Sequence, residues 1–153
     1  MNTLHYFEDM PNVGTCKVYT PEYCVKKDEI IEFGTRFDPL PFHVDEEAAK
    51  QSYYGGLTAP GVLTQCIAVK LIGDSLPPAA VIGIVGKDEV KFPVAVRPGM
   101  VLHLEAETVS KRPSSKPGRG LVQTRFKLLT RDGLEVYSAL HTVLFHSRPK
   151  DVS

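Results

Sequence analysis

"PGVLTQCIAVKLIG", residues 60–73, is the most apolar run of the chain, and what it forms decides the architecture. Pro60 suits the first turn of a helix and Gly73 the position beyond its end. Between them Val62, Leu63, Cys66, Ile67, Val69, Leu71 and Ile72 cover most of a helical circumference, leaving Thr64, Gln65 and Lys70 as polar members. A helix apolar on nearly every side is a buried helix. Cys66 inside it reads as a small buried hydrophobe.

Downstream of Pro78 the pattern changes to strand. "AAVIGIVG" (79–86) and "KDEVKFPVAV" (87–96) are β-branched runs. "MVLHLEAETVS" (100–110), "GLVQTRFKLLT" (120–130) and "LEVYSALHTVLFHS" (134–147) each alternate in character, and Asp132-Gly133 predicts a tight hairpin between the last two. No helix separates these strands, so the sheet is expected to be antiparallel. One buried helix and one long curved antiparallel sheet make an α+β fold in which the sheet wraps the helix.

Upstream, "TCKVYT" (15–20) predicts a short strand, and "PEYCVKKDEIIEFGTRF" (21–37) a helix starting near Pro21. The segment "RFDPLPFHVDEEAAK" (36–50) then places Asp38 and His43 around Pro39 and Pro41. Proline disfavours helical backbone in the residue before it, which pushes Asp38 and Leu40 extended and predicts a kinked loop rather than a helix. "DEEAAKQS" (45–52) predicts a short helix capped by Asp45, with Gly55-Gly56 ending it.

Length and composition bound the function. At 153 residues the chain is expected to be one domain, spanning 1–153 with its core over about 7–148. Lys plus Arg and Asp plus Glu both number 18, so no net field favours nucleic acid or an anionic membrane surface. Any anionic ligand must be met by a local cluster. Cys16, Cys24 and Cys66 form no metal spacing and no even disulfide set. The start, "MNTLHYFEDMPNVG", lacks the pattern of a signal peptide, and no apolar stretch nears the ~20 residues that cross a bilayer. The expected setting is reducing and cytoplasmic.

Asp38 and His43 are five residues apart, so a straight strand would send them to opposite faces. They converge only if the loop curls. Together they suit general acid–base work on a water or a hydroxyl. Gly61 lies eighteen residues beyond His43, at the start of the apolar helix. First-turn N–H groups lack internal partners and favour negative charge, so a carbonyl oxygen docked there would be polarised. Acid, base and oxyanion donor describe the addition or removal of water beside a carbonyl.

"FDPLPFHVDEEAAKQSYYGGLTAPGVLT" (37–64) resembles the hydratase motif of the MaoC-like dehydratases and (R)-specific enoyl-CoA hydratases: Asp-x-Asn-Pro-x-His, a short helix, then a glycine-bearing turn into the central helix. The resemblance extends through "VAVRPGMVLHLEAETVSKRPS" (94–114) and "GRGLVQTRFKLLTRDGLEVYS" (118–138). It implies the hot dog fold, with Asp38 and His43 activating water and the Gly61 amide polarising a thioester carbonyl. Two positions depart from the family pattern. Leu40 stands at the asparagine, and Val69 stands where some hydratases carry a small polar residue.

Further candidates follow. Lys111, Arg112, Lys116 and Arg119, in "SKRPSSKPGRG" (110–120), could grip coenzyme A phosphates or form a solvated hairpin tip. Tyr53, Tyr54 and Gly56 are assigned to substrate binding beside the turn, although aromatic packing explains the tyrosines as well. His103, His141 and His146 read as structural or surface residues, His5 as part of a tail, and "VRPG" (96–99) as a turn. The expected activity is that of a hydro-lyase acting on a 2-enoyl or 3-hydroxyacyl thioester, with no metal and no cofactor beyond the substrate's coenzyme A. An exposed sheet edge predicts a homodimer or larger homo-oligomer. A thioesterase, a non-catalytic acyl-CoA-binding subunit and a dehydratase of carrier-protein thioesters stay open.

Overall fold

The computed structural model describes residues 3–150, so both extreme ends of the span expected as one domain lie outside the described residues. The elements run in chain order: β1 (Cys16–Cys24), α1 (Lys27–Phe37), α2 (Pro41–Val44), α3 (Glu46–Gln51), α4 (Gly61–Ser75), β2 (Val81–Lys91), β3 (Val101–Pro113), β4 (Arg119–Thr130) and β5 (Glu135–His146). The five strands form one sheet in the order β1-β3-β4-β5-β2, every pair antiparallel. α4 lies against its concave face. This is the helix wrapped by a curved sheet that defines the hot dog fold.

The core shows why. Leu63, Ile67, Ala68 and Leu71 of α4, spaced at helical intervals, pack against Leu102 and Leu104 of β3, Phe126 and Leu128 of β4, and Tyr137 and Ala139 of β5. Each large side chain removed from water here contributes about 1.5–3 kcal/mol. Val25 and Ile30 close the core from the entry to α1.

Four local expectations change. β1 continues through Pro21 to Cys24, with a register shift between Val18 and Glu22, and the helix starts only at Lys27. β1 is an edge strand, where a proline at an irregularity forfeits no ladder bond. The run 79–96 yields one strand that stops at Lys91, and residues 92–100 cross back without strand pairing. Gly73 lies inside α4, not beyond it. His5 is not in a loose tail: its N–H donates to the Pro78 carbonyl and its own carbonyl accepts from Ala80.

The largest change concerns α4, which is buried on one side only. Val62 is 55% exposed, Val69 is 45% exposed, and Cys66 is exposed rather than buried. The edge strand β2 also leaves apolar side chains exposed: Val81, Ile82, Ile84 and Val85. Among the described residues, no helix is long and apolar enough to cross a membrane.

Candidate active site

α1 ends where Asp38 precedes Pro39; the Asp38 N–H closes the helix on the Gly34 carbonyl at 2.8 Å. Leu40 is extended, as its position before Pro41 requires. Pro41 then opens a single helical turn, because a proline at the first helical position forfeits no hydrogen bond. The segment expected as a plain kinked loop is thus a loop followed by α2, and His43 sits on that turn. α2 packs against α1 where α1 has a glycine: a Cβ on Gly34 would lie 3.1 Å from the His43 Cβ. Gly34 lets the two carriers of the acid and the base come together.

The expected convergence occurs. His43 Nε2 stands 3.5 Å from Asp38 Oδ2. The imidazole is buried, at 6% exposure, and Asp38 stays partly open to solvent. His43 Nδ1 lies 2.5 Å from the Thr58 carbonyl oxygen and 3.3 Å from the Thr58 hydroxyl. A carbonyl only accepts, so Nδ1 carries a proton, and the neutral form of the ring would turn its Nε2 lone pair toward Asp38. At 3.5 Å the two groups are close enough for one water beside the pair to hydrogen-bond to both.

Gly61 is the first residue of α4, and its N-cap, Pro60, supplies no side-chain cap. The first-turn N–H groups therefore have no acceptor from the helix itself. The space beside the Gly61 Cα is taken by Phe92: a Cβ there would meet the ring at 3.1–3.3 Å. The absence of a side chain thus makes room for Phe92.

His43, Gly61, Thr64, Tyr53, Tyr54 and Phe92 line one cleft of about 520 Å³, with the aliphatic Leu40 at its edge. Asp38 does not line it and reaches it through His43. Tyr54 packs on Phe42, whose ring meets His43 edge-on, while Tyr53 is 98% exposed. Val69 lies two helical turns beyond Gly61, on the bare face of α4, and does not line the cleft.

The basic hairpin lies elsewhere. Val136 of β5 lines the cleft, whereas Arg119 pairs with His146 at the opposite end of the same strand. That is about 30 Å along the strands within one protomer. Lys111 is already engaged: its ammonium donates to the Glu8 and Met10 carbonyls at 3.2 and 2.7 Å. Arg112, Lys116 and Arg119 have no carboxylate partner among the described residues.

Two residues escaped the sequence reading. Thr58 acts through its backbone carbonyl, which no residue type signals. Arg97, in the turn "VRPG", donates to the Tyr54 carbonyl at 2.5 Å and the Gly56 carbonyl at 3.0 Å. An arginine in a Pro-Gly turn was the available clue. Of the remaining histidines, His141 is buried against Phe126 with Nε2 unpartnered among the described residues, and burial, with Lys87 nearby, pushes its pKa down to about 4. No group of three or more potential metal ligands occurs among the described residues.

Comparison with known proteins bears on the family and the fold. Residues 11–128 match the family model described as MaoC like domain. A crystal structure of a MaoC-like dehydratase from Rhodospirillum rubrum is 35% identical, covers 95% of this chain and 99% of its own, and superposes with a TM-score of 0.85. R-hydratase PhaJ1 of Pseudomonas aeruginosa is 21% identical over 94% of this chain and 86% of its own, with a TM-score of 0.71, a likeness of fold alone. The uncharacterized protein YdeM of Bacillus subtilis is 45% identical over 47 residues, which is 31% of this chain and only 33% of that protein. A family model covering residues 11–128, most of the chain, places the chain in the MaoC-like domain family.

Proposed function

We propose that the protein is a hydro-lyase that adds water across the 2,3 bond of a 2-enoyl thioester, or removes it from the 3-hydroxyacyl form, with a coenzyme A ester as substrate. One observation carries this reading: an imidazole locked in the Nδ1–H tautomer faces a carboxylate, beside a cleft that begins at an uncapped helix N-terminus. Membership of the MaoC-like family supports it, as do a MaoC-like dehydratase and an R-hydratase among proteins of the same fold.

In the hydration direction, a water held between Asp38 and His43 Nε2 attacks C3 as Asp38 accepts its proton. The C2–C3 π electrons move toward the thioester carbonyl, whose oxygen gains negative charge against the Gly61 N–H. His43 then relays the proton to C2, which restores the carbonyl and leaves a 3-hydroxyacyl thioester. No metal or cofactor enters the proposal.

The bare β2 edge and the exposed stripe of α4 support a homodimer paired through β2. An antiparallel β2–β2 pair would bring the partner's β3–β4 hairpin to the end of the sheet where this cleft opens. The hairpin would then sit three strands, or about 14 Å, away from β2. A role for Arg112, Lys116 and Arg119 toward coenzyme A phosphates belongs to that assembly. The exposed, unpaired cysteines are compatible with a cytoplasmic enzyme.

A second reading rests on Phe92, whose ring covers Gly61: an acyl-CoA-binding subunit without turnover. A panel of 2-enoyl-CoA esters of graded length, followed by ultraviolet loss of the conjugated thioester, separates the two. Turnover of any member supports the hydro-lyase, and binding of acyl-CoA without turnover selects the second reading. Thiol release with the enoyl absorbance retained would point to thioester hydrolysis.

A further inference from the structure

We infer that Arg97 is a positioning residue for the acid–base pair: its guanidinium sets the strap 52–60, and through that strap it sets both the tautomer of His43 and the place of the Gly61 amide. The kinetic part of this inference rests on the hydro-lyase reading; the structural part does not.

The strap joins α3 to α4 with no strand or helix of its own. Its far end carries the two groups that matter. The Thr58 carbonyl holds His43 Nδ1, and Gly61 follows directly as the first residue of α4. Two backbone bonds pin that end: Thr58 N–H to the Phe42 carbonyl at 3.1 Å, and Ala59 N–H to the Val96 carbonyl at 2.8 Å. The middle, Tyr54 to Leu57, hydrogen-bonds to the body of the protein only through Arg97, among the described residues. Nη2 donates to the Tyr54 carbonyl at 2.5 Å, and Nη1 donates to Gly56 at 3.0 Å and reaches Leu57 at 3.5 Å. The cationic carbon also lies 6.0 Å from the Tyr54 ring centroid.

The anchor itself is stiff. Arg97 sits in a turn closed by Met100 N–H on the Arg97 carbonyl, and the turn is tied to the core through Val25, which bonds both Gly99 and Met100 at 2.7 and 2.8 Å. Charged donors make the stronger hydrogen bonds, and a planar fork can span neighbouring carbonyls where a lysine's point charge cannot. Gly56 permits the approach: a Cβ there would lie 3.3 Å from Nη1. Its assignment as a substrate-binding residue is better read as room for this arginine. If the clamp loosens, the Thr58 carbonyl can leave Nδ1, the proton is free to move to Nε2, and the lone pair aimed at Asp38 is lost.

The test uses Arg97→Lys, with Gly56→Ala as a milder variant that displaces the guanidinium without removing it. Long-range proton–nitrogen spectra of histidine-labelled protein read the His43 tautomer directly, with His43→Asn assigning the signal. Wild type should show one species protonated at Nδ1; Arg97→Lys should show a mixture, and Gly56→Ala a smaller change in the same direction. With the best enoyl-CoA ester, kcat of Arg97→Lys should fall about 10–100-fold, the scale of a small misplacement of catalytic groups, with KM changed much less. An unchanged His43 signal in both variants overturns the inference, even if kcat falls, because Arg97 would then act by another route. If wild type turns over no enoyl ester while the tautomer still shifts, the positioning role stands and the hydro-lyase reading falls. Should Arg97→Lys not fold, Gly56→Ala decides alone on the same signal.

Discussion

Gly61→Ala tests the geometry at the helix start most sharply. The new methyl would sit 3.1, 3.2 and 3.3 Å from Cζ, Cε1 and Cε2 of Phe92, against an ordinary carbon contact of about 3.5–4.0 Å. The ring must therefore retreat by about 0.5 Å. It leans on the fully buried Tyr137 (ring centroids 5.7 Å apart) but is itself 45% exposed, so it can slide toward solvent. That puts the cost near the low end of overpacking, about 1 kcal/mol. Alanine's better helix propensity returns up to about 1 kcal/mol. The net loss should be between zero and about 1 kcal/mol, a fall in Tm of at most about 4 °C for a chain of this size. On the proposed mechanism activity should suffer far more, by about 10–100-fold in kcat, because the methyl and the displaced ring would crowd a thioester carbonyl docking at the amide. Phe92→Leu provides the control. In that background the added methyl has space, and a double-mutant cycle on Tm should show coupling of about 1 kcal/mol. Equal shifts in both backgrounds would refute the Phe92 contact. A folded Gly61→Ala enzyme with wild-type kcat would refute the docking of the carbonyl at this amide.

Asp38→Asn and His43→Ala should each fold and each lower kcat by about 10²–10⁴ in the enoyl-CoA assay, with the double variant little worse than the worse single one; wild-type activity in either removes that residue from the mechanism. Replacing Arg112, Lys116 and Arg119 with serine should raise KM for coenzyme A esters at low salt and flatten its salt dependence with kcat nearly unchanged. An unaltered KM would leave the hairpin as a solvated tip. His141, held neutral to about pH 4 against an ordinary 6.5, makes the unfolded chain bind the extra proton in that window, so its contribution to stability falls as pH drops from about 6.5 to about 4. Denaturant titrations should show up to about 3 kcal/mol lost over that range, and His141→Gln should flatten the curve; an equally steep curve in the variant would place the titrating group elsewhere.

The local grammar of the chain was legible wherever neighbours in sequence decide the outcome. Asp45 caps α3 by accepting from the Ala48 N–H, as its position before two acids implied. Asp132-Gly133 turns β4 into β5, and residues 61–75 are helical throughout. Asp38, His43 and Gly61 could be proposed as a site because their residue types suit the chemistry and their spacing resembles a family motif; the structure adds that Asp38 and His43 converge.

What escaped depends on contacts between distant segments. Proline 21 reads locally as a helix start, yet pairing with β3 draws β1 past it. The apolar circumference of α4 says that its surface avoids water but not what covers it; the sheet covers one side, leaving Val62, Cys66 and Val69 bare. The tautomer of His43 hangs on a carbonyl fifteen residues away, and every residue has a carbonyl. Arg97 reaches back 43 positions to Tyr54. Side-chain identity and local backbone preference are written in the sequence itself, whereas the partners of backbone acceptors and the cover over an apolar face exist only once the chain has closed on itself.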